Sequence, residues 1–92
     1  MQIRHLMKRT VMGSDAFVVG HVNDIEFDEK SMKLTSICLK LDNRAIEPMG
    51  LKKPRLGGGV RIEIPVSIIK AIGDVINLDR SAGELGAFVR RR

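Results

Sequence analysis

The chain contains no tryptophan, no tyrosine and only three phenylalanines among its 92 residues. Its core is therefore predicted to be aliphatic. The single cysteine, Cys38, excludes a disulfide within the chain and is typical of a reducing compartment. No apolar run approaches the roughly 18 residues that a membrane-spanning helix needs. Charged residues also interrupt the first ten positions, where a signal peptide would be hydrophobic. These absences predict a cytoplasmic protein.

Residue groupings that carry catalysis or hold a metal are also missing. His5, His21 and Cys38 do not have the spacing of zinc ligands. The glycines at 57–59 are followed by a strand-like segment, whereas a phosphate-binding loop continues with Lys and Ser or Thr into a helix. No nucleophile, base and orienting group can be proposed together. The sequence predicts a protein that is not an enzyme and has no catalytic, cofactor-binding or metal-binding residues.

The length and the hydrophobic content of 43% predict a single domain spanning 1–92. Its core is expected at about 8–79, with a C-terminal tail at 80–92. A domain of this size removes only about 60–65% of its unfolded surface from water. Association of two copies would add stability, and we therefore expect a homodimer.

Two strand-like runs, 17–28 and 33–41, are separated by a short polar segment and predict an antiparallel hairpin. A strand with one buried face must alternate strictly, but the apolar positions change phase between Val22 and Ile25. The second run changes phase as well, after Leu34. Matching phase changes predict bulges that bend both strands together, which is how a small sheet curls into a barrel.

The remaining segments are shorter. A first strand is predicted at 8–12, and proline and glycine at 42–59 predict a long loop with one helical turn. Apolar and polar residues alternate without a fault at 60–64, which predicts a strand. After Pro65, apolar residues recur at helical spacing and predict one helical turn at 66–71. A last short strand is predicted at 75–79. Residues 80–86 are predicted to be a loose tail segment. The fold class is all-β, with about five to six strands.

Two segments carry a resemblance to a known family. VVGHVNDIEFD at 18–28 is similar to a pattern of hydrophobic, Gly, any residue, Val, any residue, Asp, hydrophobic. IPVSIIKAIGDVI at 64–76 is similar to the same family's closing pattern, in which a Pro-started turn leads to Gly-Asp and a final strand. Over residues 8–78 the chain resembles archaeal stand-alone PRC-barrel proteins. Family members often place glycine in the turn before the hairpin, where this chain has Ala16.

The resemblance implies a small, strongly bent β-barrel of the PRC type, related to the C-terminal domain of RimM and to the barrel of the reaction-centre H subunit. Family members are adaptors that share no catalytic residues. Some are linked to cell division through a SepF-type membrane anchor of the tubulin-like ring. The function that the resemblance implies is a non-enzymatic protein-interaction adaptor, with a SepF-type division protein as a partner.

Two segments are predicted to bind the partner. The long loop combines apolar and basic residues, and a tail that carries phenylalanine normally docks on another surface. The predicted partner-binding residues are Ile46, Met49, Leu51, Lys52, Lys53 and Arg55 in the loop, and Leu85, Phe88 and Val89 in the tail.

A net charge of +5 permits an anionic partner, and the alternative function is an RNA- or ribosome-associated maturation factor. The excess charge is concentrated at 52–55 and 90–92. Besides binding an anion, the first segment is typical of a solvated loop and the second of a frayed terminus. No aromatic side chain accompanies the basic loop for base stacking, which argues against sequence-specific RNA recognition.

Overall fold

Seven strands in one sheet organise the chain, whose computed structural model describes residues 2–52, 59–86 and 90–91. The sheet is mainly antiparallel, and its order is β5-β6-β1-β2-β3-β4-β7. In chain order, the elements are a 3₁₀ turn (Ile3–His5), β1 (Thr10–Met12), β2 (Val18–Asp28), β3 (Lys33–Leu41), α1 (Asn43–Ile46), β4 (Arg61–Pro65), a second 3₁₀ turn (Val66–Ile68), β5 (Ile69–Ile72), β6 (Ile76–Leu78), α2 (Ala82–Leu85) and β7 (Arg90–Arg91).

The predicted fold class is confirmed, with two more short strands than the lower estimate of five. The pairing of β1 with β6 is parallel, and the other ladders are antiparallel. Within the described part of the chain the sheet does not close, because β5 and β7 are its two ends. Its architecture is that of a small, bent and partly open barrel.

The phase changes predicted for the central hairpin are present as bulges. The pairing of β2 with β3 shifts between Val22 and Asp24, which leaves Asn23 as the extra residue on β2. A second shift pairs Glu26 with Ser36 but the next residue with Leu34, which leaves an extra residue on β3. Bulges increase local twist and curvature, so these two shifts bend the longest ladder of the sheet.

The core is aliphatic, as predicted. Side chains from β1, β2, β3, β4 and β6 fill it, and each fully buried Val, Ile or Leu contributes about 1.5–3 kcal/mol. The largest fully buried side chains are Ile37, Leu39, Ile46, Ile62, Ile64, Ile76, Leu78, Leu85, Val11, Val19, Val22 and Val60. Strand β4 shows the strict alternation predicted for it, with Ile62 and Ile64 buried.

The part of the predicted long loop at 42–52 contains the predicted helical turn and packs on the core. The Asp42 carboxylate accepts a hydrogen bond from the Arg44 backbone N–H at 2.9 Å and caps α1. Ala45 and Ile46 then point into the core. The backbone N–H of Leu51 donates to the Ile46 carbonyl at 3.0 Å, which turns the chain back on itself. This segment closes one end of the barrel.

Three further expectations are corrected. The helical turn predicted at 66–71 ends after Val66–Ile68, because Ile69 is extended and begins β5, which pairs with β6. The segment 80–86 is ordered by α2, where Ser81 and Glu84 form a reciprocal capping box. The terminal residues Arg90–Arg91 form β7 against β4, so this pair is a strand and not a frayed end.

Two glycines allow close approaches that a side chain would block. A Cβ atom at Gly20 in β2 would lie 2.2 Å from the Lys40 carbonyl oxygen. At Gly86, after α2, it would lie 2.1 Å from the Met49 carbonyl oxygen. Gly86 therefore lets α2 pack directly on the segment that follows α1.

Candidate interaction surface

The central hairpin extends beyond the rest of the sheet. Backbone hydrogen bonds connect β2 to the N-terminal segment up to Val22, whose N–H donates to the Arg9 carbonyl at 3.0 Å. From Asp24 onward, the ladders of β2 involve β3 alone, and the pairing of β3 with β4 reaches no further than Ser36. The outermost part is therefore a two-stranded ribbon. We call residues 24–34 the hairpin arm.

One face of the hairpin arm is apolar. Ile25 and Phe27 lie on the same face of β2, and Leu34 lies directly opposite Phe27 on β3. This face continues the core side of the sheet, because Ile25 pairs with the buried Ile37. Ile25 and Leu34 are half-buried against the core, whereas Phe27, opposite Leu34, is 46% exposed. The apolar face thus continues past the point where the core covers it.

The tip of the hairpin arm is held by Asp28. Its carboxylate accepts hydrogen bonds from the Lys30 backbone N–H and from the Ser31 hydroxyl, both at 3.0 Å. Its backbone carbonyl accepts one from the Met32 N–H at 2.8 Å. The Lys30 N–H, followed by the Ser31 hydroxyl, lowers the pKa of Asp28 from its ordinary value of 3.8. The turn is thus ordered by its own hydrogen bonds.

Met32 in this turn has an unfavourable backbone and an unfavourable environment. Its φ angle is 59°, in the left-handed region where a residue with a Cβ costs about 1–2 kcal/mol. Its side chain is 71% exposed, the largest exposure among the large hydrophobic residues that the structure describes. Strained positions of this kind are often retained at functional sites. Glycine or asparagine would form the same turn at lower cost, and neither would present an apolar side chain.

The N-terminal turn, residues 2–9, adjoins the base of the hairpin arm. The Lys8 backbone N–H donates to the Val22 carbonyl at 2.8 Å, and the buried Leu6 anchors the turn in the core. Ile3 and Met7 remain exposed, at 54% and 38%. A surface cleft of about 420 Å³ lies between this turn and β2, lined by Met7, Lys8, Thr10, His21, Val22 and Asn23.

A row of basic side chains crosses the outer face of the sheet. His21 pairs with Lys40, and Lys40 pairs with Arg61, so three basic residues lie side by side on β2, β3 and β4. Like charges directly opposite one another destabilise a sheet. Two residues beyond Arg61 on β4, the Glu63 carboxylate accepts a hydrogen bond from the Ser36 hydroxyl of β3 at 2.6 Å.

The partner-binding residues predicted from the sequence do not form one exposed surface. Ile46 and Met49 are 1% and 3% exposed, and Leu85 is completely buried, because α1 and α2 fold back over the end of the barrel. Their assignment to the surface is therefore corrected. Leu51 is half-buried and Lys52 is exposed. The other predicted residues lie outside the described part of the chain; they are Lys53, Arg55, Phe88 and Val89.

The exposed apolar residues that the structure shows were missed by the sequence reasoning. Ile25 and Phe27 are alternate residues of one strand. Their alternation predicted only that both side chains face the core side of the sheet. A signal was available in the lengths of the strands. β2 and β3 are predicted to be much longer than the first strand and β4, so their outer ends must extend past their neighbours.

Other site types find no support in the described residues. Within 2–52 and 59–86, no three His, Cys, Asp or Glu side chains are grouped to hold a metal ion. Cys38 is a buried free thiol. No helix in the described ranges is long and apolar enough to cross a bilayer.

Comparisons with known proteins agree with the fold. The model of the PRC-barrel domain family matches residues 1–85 of this chain. The uncharacterized protein MJ1118 of the archaeon Methanocaldococcus jannaschii is 31% identical over 81 residues, which cover 88% of this chain and 83% of that protein. Family members are small interaction domains without a catalytic site. The resemblance predicted from the two sequence segments is confirmed: the chain belongs to the PRC-barrel family.

Proposed function

We propose that this protein is a non-enzymatic adaptor that self-associates as a homodimer and binds a protein partner. The observation that supports this most directly is the hairpin arm. It is an ordered ribbon that exposes Phe27 and Met32, and Met32 is held in a left-handed conformation. A two-stranded ribbon is only marginally stable in water by itself. Covering the arm with protein would both remove these side chains from water and stabilise the ribbon.

The charge of the hairpin arm limits the partner's chemistry. It carries four acidic residues and two lysines, a net charge of −2 in a chain of net charge +5. Its occupant is therefore a protein segment that combines apolar and basic side chains. The acidic residues on β2, which the alternation places on the solvent side, would contact the rim of such a segment and favour correct encounters.

The family resemblance suggests the cellular setting. A SepF-type protein of the archaeal division apparatus is the proposed partner, and the proposed location is the cytoplasm. The basis for the partner is the resemblance to PRC-barrel proteins with that role, together with the archaeal relative. The basis for the location is the single cysteine and the charged residues among the first ten positions.

The second candidate function is an RNA- or ribosome-associated maturation factor. The observation that favours it is the row of His21, Lys40 and Arg61, since adjacent nitrogen donors on a sheet face suit phosphate groups. The chain lacks Tyr and Trp for base stacking, so any such binding would be electrostatic and would weaken steeply with salt.

Affinity capture tests the two candidates together. The wild type, a Phe27→Ser/Met32→Ser variant and an Ile72→Ser control are used as baits at physiological salt, with and without nuclease. Ile72 is 41% exposed and lies on β5, outside the hairpin arm. Proteins captured in the presence of nuclease are then purified and titrated against all three baits.

The adaptor function predicts a captured protein that binds the wild type and the control equally and the arm variant at least tenfold more weakly. Equal binding of all three baits would contradict the role of the hairpin arm. Loss of all captured proteins on nuclease treatment, with binding to ribosomal RNA that falls steeply with salt, would favour the second candidate.

A further inference from the structure

We propose that the N-terminal turn of a second copy of the chain binds the hairpin arm. Two copies would pair reciprocally, so that the arm of each contacts the turn of the other. This inference rests on the proposed self-association and names the surfaces that carry it.

The exposed apolar residues favour these two surfaces. Five large hydrophobic residues are exposed in the described part of the chain, and four of them belong to these surfaces. Phe27 and Met32 are on the hairpin arm, and Ile3 and Met7 are on the N-terminal turn. Two exposed apolar residues on one short segment indicate an interaction site more strongly than a single scattered one does.

The charges of the two surfaces are complementary. The N-terminal turn carries Arg4, Lys8 and Arg9 and no acidic residue, a net charge of +3 against −2 on the hairpin arm. Two arms would repel each other, and so would two turns, so electrostatics selects the arm-to-turn pairing. The side chains of Arg4 and Lys8 have no ion pair or hydrogen bond within the described residues, which leaves both available to a second copy.

The position of the two surfaces allows a closed pair. The turn is hydrogen-bonded to β2 at Val22, and the hairpin arm begins two residues later at Asp24. The two surfaces therefore adjoin along β2, and the 420 Å³ cleft between the turn and β2 extends to Asn23, next to the first residue of the arm. When two complementary surfaces adjoin, a two-fold axis can pair each with the other and close the assembly as a dimer. Together they contain nineteen residues, close to the roughly 20 per partner of a standard interface.

A charge swap tests this pairing in the full chain. The arm variant is Asp24→Lys/Glu29→Lys, and the turn variant is Arg4→Glu/Lys8→Glu. Arg9 is left intact because its guanidinium donates to the Gly73 carbonyl, and Asp28 because it orders the tip. The control is Lys52→Glu/Lys70→Glu, which changes the net charge as the turn variant does but lies outside both surfaces. Circular dichroism checks the fold of each variant.

Sedimentation velocity from 1 to 100 µM measures the dimer dissociation constant. We expect a dimer for the wild type and the control, and dissociation constants at least tenfold higher for the arm variant alone and for the turn variant alone. An equimolar mixture of the two should form heterodimers as tightly as the wild type, because each reversed surface meets an opposite charge. Phe27→Ser and Met7→Ser should each weaken the wild-type dimer, whereas Ile72→Ser should not.

A monomeric wild type at 100 µM, or a mixture of the two variants that stays monomeric, would overturn the inference. Failure here is distinct from failure of the adaptor function. A monomeric wild type that still captures a protein partner through the hairpin arm contradicts only the self-pairing. A successful charge swap with no captured partner contradicts only the adaptor function.

Discussion

The two ends of the β2–β3 ladder differ in a way that their sequences conceal. At the end formed by the pair Gly20 and Leu41, the short segments around α1 and α2 cover the barrel, and their apolar side chains are among the most buried of the described residues. At the other end, regular strands project past their neighbours and leave Phe27 and Met32 in water. Burial is decided by what packs on a segment. Regularity of the segment itself does not decide it.

The largest difference between the two ends should appear on truncating an apolar side chain at each. Leu85→Ala, at the covered end, should lower the free energy of unfolding by about 2–5 kcal/mol, because it removes a fully buried side chain and leaves a cavity. Phe27→Ala, at the hairpin arm, should cost about 1 kcal/mol or less in dilute monomer. Urea denaturation at low protein concentration measures both. Equal costs would contradict the contrast between a covered and an uncovered end.

The close contact between Gly86 and the Met49 carbonyl, at the covered end, should tolerate an added methyl group almost as poorly. Gly86→Ala places a Cβ where the Met49 carbonyl oxygen now lies, so α2 must move away from the segment after α1. We expect destabilisation of about 1–3 kcal/mol, as for overpacked sites. Gly73→Ala is the control, because its Cβ would meet only ordinary contact at 3.9 Å. Similar unfolding curves for both variants would show that α2 is not packed as described.

Relief of backbone strain should raise stability at the hairpin arm. Met32→Gly should stabilise the monomer by about 0.5–1 kcal/mol, since glycine takes a positive φ without a Cβ penalty. The same change should weaken self-association, because it removes an exposed apolar side chain. Ala16→Gly is the matched control: Ala16 also has a positive φ, 62°, but lies outside the hairpin arm, so the change should stabilise without affecting association. If Met32→Gly left association unchanged, Met32 would be excluded as a contact residue.

The smallest effect should be the pH dependence of the arm's tip. The folded state lowers the pKa of Asp28 from 3.8, so its stabilising contribution is complete above that value and is lost as the pH falls through the lower folded-state pKa. Amide exchange at Lys30 should therefore accelerate below about pH 3.8, relative to reference amides in β4. Asp28→Asn should abolish this acid dependence. An unchanged acid dependence in the variant would assign it to another group.

The sequence predicted the barrel and its bends because both depend on local alternation. The phase change after Val22 identified the bulge at Asn23, and the length of the polar segment identified the hairpin. It did not predict that Ile46 and Leu85 are core residues, because their burial depends on two distant segments that fold over the same end of the barrel. It also did not predict the exposure of Phe27. An apolar phase shows which face a side chain occupies, but only the neighbouring strands determine whether that face is covered.

Concentration-dependent hydrogen exchange shows whether the hairpin arm is a contact surface that the monomer leaves uncovered. Amide exchange is followed at residues 2–9, at 24–34 and in β4 of the wild type at 1 and 100 µM. We expect protection of the hairpin arm and of the N-terminal turn to rise at least tenfold with concentration, while protection of β4 is unchanged. Equal protection of the arm at both concentrations would show that no second copy covers it.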